Sequence, residues 1–240
     1  MAKKNMTETE YYDFYLKKWG KIARKVFPAY FFGEDIPTGP NYLVMNHYTM
    51  FDPVISYLYL DGFLRFIAKK EIEKQAIFGK LLKKIGGIFI DRQAALDMSS
   101  LKKIFRANKN GENILIFPEG TRNRTKSMDV QEVKEGTALF ALKSLTPVVP
   151  VIMLKRQRPF SRNYVYVGKP MSLEEYKGKK INGEIIKEVT AKIRDLMSDT
   201  RKKLVSYISL GGAKTVKKAY KLQRKQHKDG NFIIKVEDFE

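Results

Sequence analysis

The sequence predicts an α/β fold in which a single mixed sheet is flanked by helices, with an N-terminal amphipathic helical segment and a basic C-terminal tail. From Tyr42 onward, short apolar runs of strand length alternate with longer amphipathic segments, a pattern typical of an α/β sheet covered by helices. Aromatic residues before Tyr42 recur at helical spacing, and basic residues accumulate near the C-terminus. At 240 residues the chain is long enough for one good-sized core.

The first predicted element is a basic, aromatic-rich amphipathic helix over about Tyr11–Phe27. Phe31 and Phe32 extend its apolar surface before the breaker Gly33. One interpretation is a helix at the water–lipid boundary, which Tyr and Trp rings favour because they are amphipathic. The other is a helix that packs on the core. We expect residues 1–40 to form an N-terminal membrane-associating helical segment.

Residues 41–205 are expected to form one α/β domain. Its predicted strands are Tyr42–Met45, Leu64–Ala68, Ile88–Ile90, Ile114–Phe117, Val148–Met153 and Tyr164–Val167. Its predicted helices are Pro53–Leu60, Glu71–Lys84, Ala94–Asn108, Gly136–Leu145 and Asn182–Lys203.

The charge of the chain predicts an anionic partner. There are 46 Lys and Arg against 26 Asp and Glu, a net charge of +20, which suits anionic lipid, nucleic acid or a phosphorylated substrate. Ten basic residues and no acidic ones lie in Arg201–Lys228. Residues 206–240 are therefore expected to form a basic tail, either a separate helix or a disordered segment.

Two further features limit the chemistry. The chain has no Cys, which excludes a disulfide framework, a thiolate nucleophile and a Cys-based zinc site. The N-terminal residues lack the apolar core of a secretory signal, and no run approaches the roughly 20 apolar residues that span a bilayer. We expect peripheral membrane contact, and neither a metal nor a cofactor.

The first candidate site is the segment Asn46–Pro53, which follows a predicted strand and contains His47 and Asp52. Loops at strand ends are where α/β folds place catalytic groups. An imidazole can take a proton from an alcohol, and a carboxylate on its other nitrogen fixes the tautomer and stabilises the imidazolium. Asp followed by Pro is also a common helix opening. With Asp52 as N-cap and His47 in the loop, both interpretations hold together.

The second candidate site is the segment Phe117–Arg124, at the end of another predicted strand. Gly120 lets the backbone approach a ligand, and Thr121 offers a hydroxyl. The planar guanidinium group of Arg122 can donate two hydrogen bonds to phosphate oxygens. The segment has a phosphate-binding composition but is not a Walker A loop. A polar turn with a solvated Arg is the structural alternative.

Two further segments are weaker candidates, and each of them taken alone is interpreted as part of the core. Gly86–Arg92 is a buried-strand run ending in an acid–base pair, and Thr146–Ile152 is an apolar run cut by prolines.

Taken in order, these four segments, within residues 41–153, resemble the four motif blocks of the glycerol-phosphate and lysophosphatidic acid acyltransferase family. Its signature is His-x-x-x-x-Asp followed much later by Phe-Pro-Glu-Gly-Thr-Arg. The resemblance implies that His47 is the general base that activates the acceptor hydroxyl, and that Asp52 orients and charges it. Thr49 stands where the family often has Ser, so a hydroxyl is retained.

The resemblance also implies a set of residues that bind the phosphate of the acceptor, with Lys69 placed by its position after the second strand of the domain: Glu119, Gly120, Thr121, Arg122, Arg92 and Lys69. The block around Pro150 is expected to form a wall, either for the acyl donor or purely structural. Many family members carry an N-terminal transmembrane helix, so here the helix around Tyr11–Phe27 is expected to anchor the protein.

The activity that the resemblance implies is transfer of a fatty acyl group from acyl-carrier protein or coenzyme A to the sn-2 hydroxyl of lysophosphatidic acid, giving phosphatidic acid. The implied location is peripheral, on the cytoplasmic face of the cell membrane, with an anionic membrane surface as a partner and no nucleic acid. A related acyltransferase acting on glycerol 3-phosphate or another lysolipid is the nearer alternative. A non-catalytic binder of anionic lipid or nucleic acid is the remote one, and it leaves the paired His47 and Asp52 unexplained.

Overall fold

A computed structural model of the chain describes residues 6–91, 98–225 and 232–236, which form one seven-stranded sheet. The strands are β1 Ala29–Gly33, β2 Tyr42–Met45, β3 Leu64–Lys69, β4 Ile88–Ile90, β5 Asn113–Ile116, β6 Val148–Met153 and β7 Asn163–Val167. Their order across the sheet is β1-β7-β6-β2-β5-β3-β4. Every neighbouring pair is parallel except β6 and β7, which are antiparallel. The predicted α/β class with a single mixed sheet is therefore confirmed.

Helices cover both faces of the sheet. They are α1 Glu8–Val26, α2 Asp52–Tyr59, α3 Lys70–Glu73, α4 Phe78–Lys84, α5 Met98–Lys109, α6 Glu135–Ser144, α7 Gly183–Tyr207 and α8 Ala213–Gln223. Because successive side chains of a strand point to opposite faces, Leu43 packs with α1, α2 and α4, whereas Tyr42 and Val44 pack with α5 to α8. Within the described residues, no helix is both long and apolar enough to cross a membrane.

The N-terminal segment is divided between a helix and a core strand. Thr7 begins α1 with a reciprocal capping box to Glu10, and Tyr12 is buried against the sheet. The sequence predicts that Phe31 and Phe32 extend the apolar surface of this helix, and this prediction is wrong. They are buried in β1, which pairs with β7. Both rings belong to the protein core.

The region between β3 and β4 forms two short helices rather than the single predicted helix Glu71–Lys84. The start of α4 approaches α3 closely, since a Cβ atom at Gly79 would lie 2.3 Å from the carbonyl oxygen of Ile72. A glycine is required for this contact. The next predicted helix, Ala94–Asn108, is present from Met98 onward, and residues 92–97 lie outside the described part of the chain.

The C-terminal residues that the structure describes pack on the sheet. Helix α8 buries Val216, and the Tyr220 ring lies 4.8 Å from that of Tyr30 in β1. Ile234 is buried and forms a bridge with Phe32. Residues 226–231 and 237–240 are outside the described residues.

Candidate active site

His47 lies directly after β2, in the loop that leads into α2. The preceding residue, Asn46, is buried, and its side chain forms two hydrogen bonds with Met153 at the end of β6. Asn46 Nδ2 donates to the Met153 carbonyl at 3.0 Å, and Met153 N–H donates to Asn46 Oδ1 at 2.8 Å. His47 therefore leaves the sheet from a fixed point, at the edge where the parallel strands end.

Asp52 is fully buried and accepts four hydrogen bonds from the loop before it. Its Oδ2 atom accepts from His47 Nδ1 at 2.8 Å, Tyr48 N–H at 2.6 Å and Thr49 N–H at 2.7 Å. Its Oδ1 atom accepts from the Thr49 hydroxyl at 2.7 Å. The prediction that Asp52 is the N-cap of α2 is wrong, because the residue is the first of the helix and its carboxylate turns back into the loop.

These contacts determine which nitrogen of His47 carries a proton. Backbone N–H groups can only donate, so Asp52 Oδ2 acts as an acceptor, and His47 Nδ1 is the donor in its contact with that oxygen. In the neutral ring Nε2 is then unprotonated and can accept a proton. The ring stacks on Phe117, with centroids 4.1 Å apart. The imidazole is thus fixed in tautomer and orientation.

A cavity of about 340 Å³ opens beside His47. Four of the predicted phosphate-binding residues line it: Lys69, Gly120, Thr121 and Arg122. The other lining residues are mainly apolar and include Met50, Pro53, Phe66, Phe78 and Leu82. An apolar groove of about 340 Å³ between α1, α2 and α4 adjoins this cavity and shares several of these residues. The imidazole therefore lies where cationic side chains meet an apolar surface.

The loop that carries Gly120 is attached directly to the His47 loop. Gly120 has a φ of 71°, which favours glycine, in a turn closed by its N–H to the Phe117 carbonyl. Asn123 N–H donates to the His47 carbonyl at 2.6 Å, and the buried Asn123 amide also holds the loop in place through Asp129 O. These two loops therefore form one rigid unit.

Two other residues that sequence reasoning missed also hold this unit in place. The Tyr48 hydroxyl donates to Met128 O, and Arg156 Nη2 donates to the carbonyls of Asn123 and Thr125. The only sequence feature that could have indicated the role of Tyr48 is its position inside the first motif. No sequence feature indicates the role of Arg156, because its contacts are 31 and 33 residues away in sequence.

Glu119 is not among the residues that line this cavity. Its side chain is buried. Burial raises the pKa of Glu119 to about 8, and the charge of Asp52 adds to this effect, whereas the His47 backbone and Arg201 offset it in part. Glu119 thus has a buried carboxyl group with a raised pKa, and its contact with the phosphate of the acceptor stays a prediction.

Glu119→Gln should therefore reduce the loss of stability of the protein at alkaline pH. Between about pH 4.5 and 8 the folded state keeps a proton on Glu119 that the unfolded state releases, so stability falls as pH rises through this window. Glutamine does not titrate, so in the variant this dependence of stability on pH is absent. Relative to the parent, we expect the free energy of unfolding of the variant to increase by about 2–4 kcal/mol between pH 5 and pH 9. Urea unfolding at both pH values measures this, and a pH-independent difference would contradict it.

The remaining motif residues are Arg92 and Pro150. Arg92 lies outside the described residues, and the neighbouring Asp91 pairs with Lys70 at 3.2 Å. Pro150 lies in β6, where all six residues are buried, and it is not among the residues that line the cavity beside His47.

Fold and site together place the chain among α/β proteins with an imidazole–carboxylate pair at the carboxyl edge of the sheet. Residues 30–154, just over half of the chain, match the family model described as acyltransferase. The chain belongs to the acyltransferase family, which confirms the resemblance drawn from the motifs.

Several proteins of known name are similar to the chain. The 1-acyl-sn-glycerol-3-phosphate acyltransferase of Borreliella burgdorferi is 31% identical over 136 residues, which are 55% of this chain and 53% of that protein. The protein of the same name from Saccharomyces cerevisiae is 27% identical over 183 residues, 71% of this chain and 58% of that protein. The chain therefore spans between half and three fifths of the length of these relatives.

A crystal structure is similar in fold. The 1-acyl-sn-glycerophosphate acyltransferase of Thermotoga maritima aligns with a TM-score of 0.56 and 21% identity, over 80% of each chain.

Proposed function

We propose that the chain transfers a fatty acyl group from an acyl thioester to the sn-2 hydroxyl of lysophosphatidic acid, giving phosphatidic acid. The observation that carries the proposal is that His47, with its Nδ1 atom 2.8 Å from Asp52 Oδ2, lines the cavity that contains the cations and adjoins the apolar groove. A lysophospholipid acceptor has a phosphate for the cations and a hydrocarbon chain for the apolar surface. The names of the relatives, each a 1-acyl-sn-glycerol-3-phosphate acyltransferase, support this acceptor.

The proposed reaction needs no covalent intermediate on the protein. His47 Nε2 removes the proton of the acceptor hydroxyl while its oxygen attacks the thioester carbonyl. The tetrahedral intermediate collapses with cleavage of the carbon–sulfur bond, and the imidazolium returns the proton to the departing thiolate. The buried Asp52 carboxylate stabilises the imidazolium through Nδ1. The products are the new ester and a free thiol.

Arg122 is the strongest candidate for the phosphate contact, because it lines the cavity and its fork can bind two phosphate oxygens. Arg122→Ala should raise the KM for the phosphorylated acceptor by about 10- to 100-fold, the effect of losing hydrogen bonds to a charged group. The turnover number should change less. Arg124→Ala is the matched control, since Arg124 is exposed on the same loop but does not line the cavity. Equal KM values for the Arg122 variant and the parent would refute the role.

Lys69, Thr121 and the Gly120 backbone are proposed to complete the phosphate site. Lys69 reaches the cavity from the end of β3, opposite the loop that carries the other two. Cations from two separate elements on one cavity favour an anionic ligand over a solvated surface turn.

A panel of acceptors and donors tests the proposed reaction directly. Purified protein is combined with lysophosphatidic acid, glycerol 3-phosphate or a lysolipid with another head group, and with acyl-carrier protein or coenzyme A as acyl donor. Release of free thiol and formation of phosphatidic acid are measured. Thiol release only with glycerol 3-phosphate would replace the proposed acceptor by the nearer alternative, and no thiol release with any pair would favour a binding protein.

We also propose that the protein works as a peripheral protein on the cytoplasmic face of the cell membrane. Helix α1 supports this, because it exposes Phe14, Trp19 and Ile22 together with Lys18 and other basic residues. Each basic residue near an anionic leaflet contributes roughly 1 kcal/mol. Co-sedimentation with anionic vesicles should therefore fall with added salt. Binding that is absent at low salt would contradict the proposal.

A further inference from the structure

We propose that Phe160, at the tip of the β6–β7 connection, inserts into an anionic lipid surface and forms a second membrane contact beside the active site. The inference rests on the proposed function, in which the acceptor is a lipid. It adds a loop far from α1 in sequence to the membrane-binding surface. The proposed partner of Phe160 is the lipid surface itself.

The Phe160 ring is exposed to solvent. The residue is 78% exposed and has a φ of 60°, in the left-handed region that a bulky L-residue adopts only at a cost of about 1–3 kcal/mol. Such a conformation persists only where the surroundings enforce it.

A buried glutamine and the end of α1 enforce this conformation. Gln157 is 2% exposed, and its Nε2 atom donates to the carbonyls of Arg158 at 2.9 Å and Ser161 at 2.8 Å. Phe160 N–H donates to the carbonyl of Val26 at 2.5 Å. The tip is therefore a rigid turn, attached to the last residue of α1, that presents an aromatic ring to solvent.

The tip lies at the same edge of the sheet as the candidate active site. Strand β7 is antiparallel to β6 and parallel to β1, so β7 and β1 begin at the edge where β2, β5 and β6 end. Phe27, just after α1, lies 4.7 Å from the ring of Phe51 in the loop after His47. The tip, the end of α1 and the loop that carries His47 are thus neighbours.

The chemistry around the tip suits an anionic lipid surface. Residues 154–162 contain four basic residues, Lys155, Arg156, Arg158 and Arg162, and no acidic one. An aromatic ring with basic neighbours combines apolar insertion with attraction to anionic head groups. Trp19 and Ile22, also exposed, lie on α1 within about 10 Å along the helix from Val26. The α1 residues and Phe160 would thus be two insertion points near the loop that carries His47.

Vesicle binding of the full chain tests the inference. Phe160→Asn removes the ring, and Asn tolerates the left-handed backbone, so the turn is retained. Leu222→Asn is the control, because Leu222 is 65% exposed on α8 next to Gln223, whose side chain bonds to Lys235 near the opposite end of β1. On vesicles of phosphatidylcholine and phosphatidylglycerol, we expect the Phe160 variant to bind roughly tenfold more weakly and the Leu222 variant to bind as the parent does.

Fluorescence locates the contact independently. Trp19 is the single tryptophan, so Trp19→Phe combined with Phe160→Trp places the only indole at the tip. Its emission should shift to the blue on vesicle binding and be quenched by brominated lipids. An unquenched indole at position 160, or unchanged vesicle binding of Phe160→Asn, overturns the inference.

The outcomes for the inference and for the proposed function can be separated. Phe160 is outside the cavity beside His47, so Phe160→Asn should match the parent in acyl transfer to a water-soluble, short-chain acceptor. If the parent shows no transfer but its vesicle binding depends on Phe160, the proposed function fails and the lipid contact stands. If transfer is normal and binding ignores Phe160, only the lipid contact fails.

Discussion

His47→Ala is expected to reduce acyl transfer by about 10³-fold, within the range that a positioned general base contributes. The ring is only partly buried, and three of the four hydrogen bonds to Asp52 come from other groups, so the fold should survive. The rate of thiol release at saturating acceptor, together with circular dichroism of the variant, measures both effects.

His47→Asn separates the base from the structural contact. An Asn side chain can keep an N–H donor near the position of Nδ1, toward Asp52, but it has no nitrogen able to accept a proton in the place of Nε2. We expect the Asn variant to lose as much activity as the Ala variant. Near-normal turnover in either variant would show that His47 is not the base.

Most of the sheet could be predicted from the sequence, because its strands are buried apolar runs of strand length. The boundaries of β4 and β6 agree with the prediction, and those of β2 do as well. Strand β1 was missed because its aromatic residues follow an amphipathic aromatic helix and continue its composition. Pro28, directly after Phe27, was the available signal that the helix ends there. Composition alone cannot distinguish a lipid-facing ring from one buried against a distant strand.

The site was predicted to the extent that its residues are local in sequence. His47 and Asp52 are only five residues apart in sequence, so a short-range pattern predicts their pairing. The environment of Glu119 depends instead on burial and on Arg201 in α7, 82 residues away, and a sequence pattern carries neither. The motif predicts the residue type, whereas tertiary packing determines that this Glu is buried and that its pKa is raised.

Asp52→Asn is expected to reduce acyl transfer by about 10²–10³-fold while the fold is retained. The backbone N–H groups of Tyr48 and Thr49 require an acceptor at the position of Oδ2, so the amide oxygen should take that place. The amide nitrogen then faces the Thr49 hydroxyl, which can accept a hydrogen bond. His47 keeps its tautomer, and what is lost is the negative charge that stabilises the imidazolium.

Asp52→Ala should differ from Asp52→Asn in stability rather than only in rate. Alanine leaves two backbone N–H groups and a hydroxyl without their buried acceptor, which costs about 3 kcal/mol or more. Urea unfolding should therefore show a clear loss for the Ala variant and a small one for the Asn variant, while both variants are slow. If the Asp52→Asn variant were as active as the parent, the charge would have no part in the reaction. If the Ala and Asn variants were equally stable, the carboxylate would not organise the loop, because its hydrogen bonds would then be dispensable.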